Sequence, residues 1–339
     1  MIRYLENDEK QNIRPLYEHC FSEDGPEYTD FYFEKLLSGN HVVVNETEGK
    51  IVSAMHLVPK SATVGAAKTD IYYIYGVGTF MQYRNKGFMR ELFLKVLNDM
   101  FSEQHPFTYL IPSDEKNAEI YKSLGFGFVM DKQKMKPETN RKKATHSLIL
   151  RKADNSDLTR IAIFAQSSME RNCRVSLVKD INYFRKIKEL IQIEGGKIDI
   201  YIENKVIVGY RIWIDNEIFE EVLDPDIQTL SWLEHVGKPY AMARILNVQK
   251  TLSLLGFKGS GQFVIKLYDP IIKENNGCFK VKYQNRDIKL DKLDEKQLNI
   301  EPEFDITISE LASHIFGYKM IEGLPGVCRK GSFFINDYV

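Results

Sequence analysis

Val77-Gly78-Thr79-Phe80-Met81-Gln82-Tyr83-Arg84-Asn85-Lys86-Gly87-Phe88-Met89 joins two segments of opposite character. Upstream, residues 70–77 are rich in Ile and Tyr and read as a strand. Downstream, Met89, Leu92, Phe93, Val96, Leu97 and Met100 recur at the spacing of an amphipathic helix. A strand that feeds a glycine turn and then a helix gathers unpaired backbone N–H groups at one point. The helix start adds partial positive charge, and Arg84, Lys86 and Arg90 add full charges. Such an end suits a pyrophosphate, and Gly87 permits close backbone approach or an unusual φ. The same turn also fits an ordinary basic helix start, so spacing alone leaves both readings open.

The flanking segments give the turn its context. Residues 11–21 carry Ile13, Leu16, Cys20 and Phe21 at helical spacing. Residues 41–44 and 51–57 read as strands around the turn-like Glu46-Thr47-Glu48-Gly49-Lys50, which makes a hairpin. Residues 107–111 are a further strand, Pro112 and Ser113 start a helix to Leu124, and Gly125 stops it before a strand at 126–130. The expectation is an α/β (α+β) fold on a mixed, twisted sheet, with a first domain at 1–130.

Residues 131–146 hold Lys132, Lys134, Lys136, Arg141, Lys142 and Lys143 and read as a solvated basic linker. A second domain is expected at 147–237. It has a strand at 147–151, a helix at 156–169 capped by Ser156 or Asp157, and a hairpin of 197–203 with 206–214. This echoes the opening of the first domain but has no second glycine-containing phosphate turn, so no cofactor is assigned to it. A third domain is expected at 238–339. It starts with a helix at 241–255 ended by Gly256, followed by strands at 261–268, 277–283 and 286–290 and a helix at 306–316. The sequence closes on apolar residues including Phe333, Phe334, Tyr338 and Val339, and an apolar end implies docking.

Composition narrows the function. With 43% hydrophobic and 27% charged residues, the chain is a folded globular protein. A formal net charge of -1 supplies no field for gathering nucleic acid or anionic membrane. Cys20, Cys173, Cys278 and Cys328 lie far apart with no CxxC pair, which argues against zinc and for reduced thiols. No metal is expected. There is no signal-peptide core and no apolar run long enough to span a bilayer, so a cytoplasmic protein is expected.

The stretch from Val77 to Met89 resembles motif A of the GNAT acetyltransferase superfamily. Arg84 and Gly87 match its Arg/Gln-x-x-Gly core, and Met89 departs from the small residue usual at its end. The later stretch Asn117-Ala118-Glu119-Ile120-Tyr121-Lys122-Ser123-Leu124-Gly125-Phe126 resembles motif B. The resemblance implies acetyl-CoA as co-substrate. The backbone of Val77, Gly78 and Thr79 would take the pantetheine arm, and Arg84, Asn85, Lys86, Gly87, Phe88 and Met89 the pyrophosphate, with Asn117 nearby. The layout of the whole chain is similar to the Eis-like (enhanced intracellular survival) acetyltransferases, which have a GNAT domain, a degenerate GNAT-like domain and a sterol-carrier-like domain. Met242-Ala243-Arg244-Ile245-Leu246-Asn247-Val248 resembles the start of that third domain.

Further expectations follow from this resemblance. Tyr121 would be the general acid that protonates the leaving thiolate. The C-terminal carboxylate at Val339 would enter the first domain's active site as base. A homo-oligomer, a hexamer in the family, is implied. The acceptor is expected to be a primary amine on a small polyamine- or aminoglycoside-like cation or on a lysine side chain. Asp24 and Glu27, with Glu23 and the aromatic run Phe31-Tyr32-Phe33, offer an acidic and aromatic rim for it. His56 reads as a core residue. The alternative is an acyl-CoA- or apolar-ligand-binding protein with a non-catalytic GNAT domain.

Overall fold

The computed structural model describes residues 1–140, 148–293, 301–328 and 331–335. The first segment runs β1 (Ile2–Tyr4), α1 (Arg14–Cys20), α2 (Pro26–Phe31), β2 (His41–Thr47), β3 (Lys50–Val64), β4 (Ala67–Thr79), α3 (Phe88–Ser102), β5 (Phe107–Leu110), α4 (Glu115–Ser123) and β6 (Gly127–Met135). The expected hairpin is β2–β3, paired antiparallel. Its turn puts Glu48 at φ 53° and Gly49 at φ 72°, the positive values a tight hairpin needs. Helix α3 buries the stripe Leu92, Phe93, Val96, Leu97 and Met100. At Gly125, φ is 87° and a Cβ would collide with the Arg244 guanidinium, so glycine is required both for the turn and for packing.

The middle segment holds β7 (Ile149–Lys152), α5 (Leu158–Asn172), β8 (Cys173–Leu177), α6 (Ile181–Ile193), β9 (Lys197–Glu203), β10 (Val206–Ile214) and β11 (Glu217–Leu223). Then come β12 (Leu233–Ile245), α7 (Val248–Leu255), β13 (Ser260–Tyr268), β14 (Gly277–Gln284), β15 (Asp287–Lys292), β16 (Phe304–Thr307), α8 (Ile308–Ile315) and β17 (Ser332–Phe334).

Nine of these strands form one mixed sheet in the order β1-β2-β3-β4-β5-β12-β6, with β8 on the far end of β3 and β17 on β8. Smaller sheets, β11-β10-β9-β7 and β15-β14-β13-β16, serve the middle and last segments. The large sheet therefore recruits strands from all parts of the chain. β8 pairs with β3 through Ala62↔Leu177, and β17 runs parallel to β8 through Phe333↔Val175.

The structure redraws three expected elements. Residues 241–245, expected as helix, form the end of β12, and the helix starts only at Val248, capped by the Asn247 side chain. A short apolar run fits a buried strand as well as a helix, and the slot between β5 and β6 decides for the strand. Residues 131–135, expected as linker, continue β6 and pair with Leu233 and His235 of β12. β12 thus crosses the expected boundary at 237/238. Residues 306–307, expected as helix, close β16, and Thr307 begins α8 through a reciprocal cap with Glu310. Arg141, Lys142, Lys143, Tyr338 and Val339 lie outside the described residues.

A buried ion pair joins β12 to the last segment. Arg244 of β12, fully buried, binds Asp269 at 2.6 Å directly after β13 of the last sheet. Asp269 also accepts from the backbone N–H groups of Ile271 and Ile272 at 2.9 Å. Losing one partner of such a pair leaves an uncompensated buried charge, a cost of roughly 3–5 kcal/mol.

Candidate active site

β4 and β5 are paired in parallel at Tyr73↔Tyr109. Beyond that point they part, and β4 carries on to Thr79. A register shift against β3 between Ala54 and His56 brings Gly76, with φ 57°, under the His56 ring. There a Cβ would stand 3.0 Å from His56 Nδ1. The parting opens a cavity of about 680 Å³. Val77 of β4, Met89 of α3, and Asn117 and Tyr121 of α4 line one side. Asp24 and Tyr28 line the other, and Glu194, Phe219 and Tyr240 reach in from the middle segment and β12.

The phosphate-type turn lies at the edge of this cavity. Gly87 takes φ 89° as the residue before α3, and no side chain caps the helix. A Cβ there would meet nothing within 4 Å, so the dihedral alone calls for glycine. Arg84, Asn85, Lys86 and Gly87 are all exposed. Arg84 Nε donates to the Thr79 carbonyl at 3.1 Å, and Lys86 Nζ sits 5.3 Å over the Tyr83 ring. The first turn of α3 thus presents backbone donors beside mobile-length cations, with acidic Glu91 its only carboxylate.

Of the strand residues expected to meet a pantetheine arm, Val77 lines the cavity. Gly78 and Thr79 are engaged with the protein. Ser53 Oγ donates to the Gly78 carbonyl at 2.9 Å and lies 2.8 Å from Thr79 Oγ1. Cys20 Sγ would be 2.9 Å from a Cβ at Gly78, so that glycine makes room for α1.

Tyr121 sits two turns into α4, whose start is capped by the Asp114 carboxylate accepting from the Asn117 N–H at 2.7 Å. Its ring packs 5.6 Å from Phe93 and 6.1 Å from Phe126. Burial, then the charge of Asp114, push the phenol up to about 12, so it keeps its proton at neutral pH. Asn117, one turn earlier on the same face, donates through Nδ2 to Ser113 Oγ at 2.7 Å.

The opposite wall is a tyrosine network. Tyr17 donates to Asp24 Oδ2 at 2.7 Å, its hydroxyl is 2.6 Å from that of Tyr75, and Tyr28 joins Tyr75 at 3.2 Å. Burial raises the Asp24 carboxyl, the Tyr17 bond offsets part of that, and Glu23 raises it further. His56 is a core residue: its Nδ1 meets Tyr32 Oη at 2.5 Å, and burial pushes it down to about 3, so it is neutral. Glu27 is exposed in the first turn of α2 and does not line the cavity.

Sequence reasoning missed Glu194, Phe219 and Tyr240. They come from a helix end and two strands distant in the chain, and none sits in a motif. The available signal was the helix stop Glu194-Gly195-Gly196. A neighbouring cavity of about 810 Å³ shares Phe219 and Tyr240 with the first and is lined by Phe333 and Phe334 of β17. Phe333 and Ile335 are each 1% exposed, so the last described residues are firmly seated. Among the described residues no group of three or more His, Cys, Asp or Glu is arranged to hold a metal. No helix among them is long and apolar enough to cross a membrane.

Residues 1–129 match the family model for the acetyltransferase (GNAT) domain, and residues 248–325 match that for a sterol carrier protein domain. This chain carries a GNAT acetyltransferase domain. It is a GNAT-type N-acetyltransferase whose last segment is sterol-carrier-like. Solved structures share the arrangement across nearly the whole chain. A probable N-acyltransferase from Enterococcus faecalis V583 superposes with TM-score 0.77 at 15% identity, covering 94% of this chain and 90% of its own. A GCN5-related N-acetyltransferase from Anabaena variabilis ATCC 29413 gives 0.74 at 16% identity, covering 93% and 90%. Eis1 from Mycobacterium abscessus gives 0.68 at 14% identity, covering 92% and 88%. At such identities the likeness is one of fold. No curated protein sequence matches the chain. GNAT enzymes use acetyl-CoA, and the uncapped start of α3 next to the parted strands fits that group.

Proposed function

We propose that this enzyme moves the acetyl group of acetyl-CoA directly to a primary amine held in the 680 Å³ cavity. The observation that carries the reading is the make-up of that cavity. Val77, Met89, Asn117 and Tyr121 face it from the donor side, and Glu23 and Asp24 from the acceptor side, with no Lys, Arg or His among the described lining residues. A wall of carboxylates and tyrosines attracts an ammonium group and gives an anionic acceptor nothing to bind.

In this reading the pyrophosphate rests on the backbone amides after Gly87, with Arg84 and Lys86 beside it. The neutral amine attacks the thioester carbonyl, the N–C bond forms and the C–S bond breaks. Tyr121 gives its proton to the departing sulfur, which matches a phenol kept protonated by burial. The proton lost by the amine goes to a carboxylate. The α-carboxylate of Val339 is our candidate. Phe333 and Phe334 line a cavity that shares Phe219 and Tyr240 with the site, and Phe333 is 1% exposed, which supports this. Appending two residues after Val339 tests it: turnover should fall sharply in a folded protein, and unchanged turnover would remove the terminal carboxylate from the mechanism.

The reaction itself is tested by following thiol release from acetyl-CoA with a panel of amines. Amine-dependent release is expected. Binding of acetyl-CoA without release from any amine would overturn the reading.

A further inference from the structure

Glu194 follows the last turn of α6 and lines the acceptor side of the cavity, although it belongs to the middle segment. Its position is fixed by packing. Helix α6 buries Phe184, Ile187, Leu190 and Ile191, and the Glu194 N–H caps the helix on the Leu190 carbonyl.

The placement is electrostatically poor three times over. A helix C-terminus carries partial negative charge and disfavours a carboxylate. The charged groups that act on Glu194 are Asp24, Asp215 and Glu27, all acidic, and after burial they are what raises its proton affinity. Glu23 stands on the same wall. Among the described lining residues no cation offsets the group. Nor is the site a general acidic surface, since the chain as a whole is almost neutral at -1. Local conflict of this kind, in an otherwise self-consistent fold, is expected where a ligand supplies the missing charge.

Asp24 and Glu194 also differ in surroundings. Asp24 is tied into the network of Tyr17, Tyr75 and Tyr28, close to Gly76 and Val77 where β4 parts from β5. Glu194 comes from another element and lines the cavity with Phe219 and Tyr240. The two carboxylates thus come from different segments of the chain and act on each other in one cavity.

We propose that Glu194 is a specificity-determining residue contributed by the middle segment, holding a second ammonium group of the acceptor while the first is acetylated beside Tyr121. This rests on the amine-acetyltransferase reading above. It gives the middle segment, which has no phosphate turn of its own, a direct part in acceptor choice. The reacting nitrogen loses its proton before attack, so the second ammonium is the charge that persists through the reaction and that a fixed carboxylate can hold.

The test compares putrescine and spermidine with n-butylamine as acceptors, using the full-length enzyme, Glu194→Gln and Glu194→Asp. Wild type should favour the diamines over n-butylamine by at least about tenfold in kcat/KM. Glu194→Gln should lower kcat/KM for the diamines about tenfold, mainly through KM, and change n-butylamine less than about twofold. Glu194→Asp should restore part of the diamine preference. The acetyl-CoA-induced rise in Tm should be the same in all three proteins, which checks the fold and the donor site separately. Equal loss for monoamine and diamines in Glu194→Gln would make the residue merely structural, and no loss for either would make it idle. Both results overturn the proposal while leaving amine acetylation intact. If neither these amines nor any other drives thiol release from acetyl-CoA, the underlying reading falls and this proposal with it.

Discussion

Two helices of equal length begin in opposite ways. Helices α3 and α5 each span 15 residues. α3 is entered through a left-handed glycine, Gly87, with no side-chain cap. α5 is entered through the turn Asn155–Asp157, closed by a reciprocal pair in which Asp154 accepts from the Ser156 N–H and Asp157 from the Asp154 N–H. Asp157 is buried and is held by Arg151 at 2.7 Å and 2.8 Å. Both ends have the same backbone donors and the same macrodipole. The turn into α5 carries its own carboxylates, whereas the turn into α3, Arg84-Asn85-Lys86-Gly87, carries none and lies next to a cavity. A helix start therefore reads as a phosphate site only where the turn that enters it carries no capping carboxylate, and that condition separates α3, whose first-turn Glu91 is bonded by Asn45 at 2.7 Å, from α5.

The comparison can be sharpened in order of expected effect. The largest concerns chemistry at the open end. Tyr121→Phe should cut kcat by roughly 100- to 1,000-fold, with acetyl-CoA affinity unchanged, as the ratio of single-turnover rate to calorimetric Kd will show. Next, Gly87→Asp imports the closed arrangement into α3. It forces an L-residue to φ 89° and sets a carboxylate where we propose the phosphate rests. Together these should weaken acetyl-CoA by roughly 30- to 100-fold, about 2–3 kcal/mol. Gly87→Asn, which tolerates the left-handed conformation and carries no charge, should stay within about fivefold.

The converse change is smaller. Asp157→Ala opens the start of α5 and should cost about 1–2 kcal/mol in urea unfolding, because Arg151 and the Asp154 N–H lose their acceptor. It should leave acetyl-CoA affinity untouched. The smallest effect is in pH. Hydrogen bonding from Arg151, the chief influence, holds the Asp157 carboxyl below its ordinary value despite burial. A depressed folded-state value means stability that is fully present above the unfolded-state pKa and lost as pH falls through the folded one. The gap in unfolding free energy between wild type and Asp157→Asn should therefore narrow once pH drops below about 4.

Much of the first segment was legible because its signals are local. The β2–β3 hairpin has its glycine turn, α3 its apolar stripe, and Gly125 its positive φ after α4. The donor side of the site was legible for the same reason, since Gly87 and Tyr121 sit in contiguous motifs. The acceptor wall was only partly so: Asp24 came from its acidic and aromatic neighbourhood, but Glu194, Phe219 and Tyr240 are brought in by long-range packing. Only the end of β12 reads as helix in the sequence, because the apolar stretch at 241–245 has no periodicity of its own and its slot between β5 and β6 makes it a strand. Burial of the Arg244–Asp269 pair across two segments had no sequence signal at all.

Calorimetric titration of the full-length chain with acetyl-CoA tests most directly whether the open helix start, and not its closed counterpart, holds the donor. One equivalent per chain is expected, weakened at least about 30-fold by Gly87→Asp and unaltered by Asp157→Ala. Two equivalents, or one that survives Gly87→Asp and vanishes in Asp157→Ala, would contradict it.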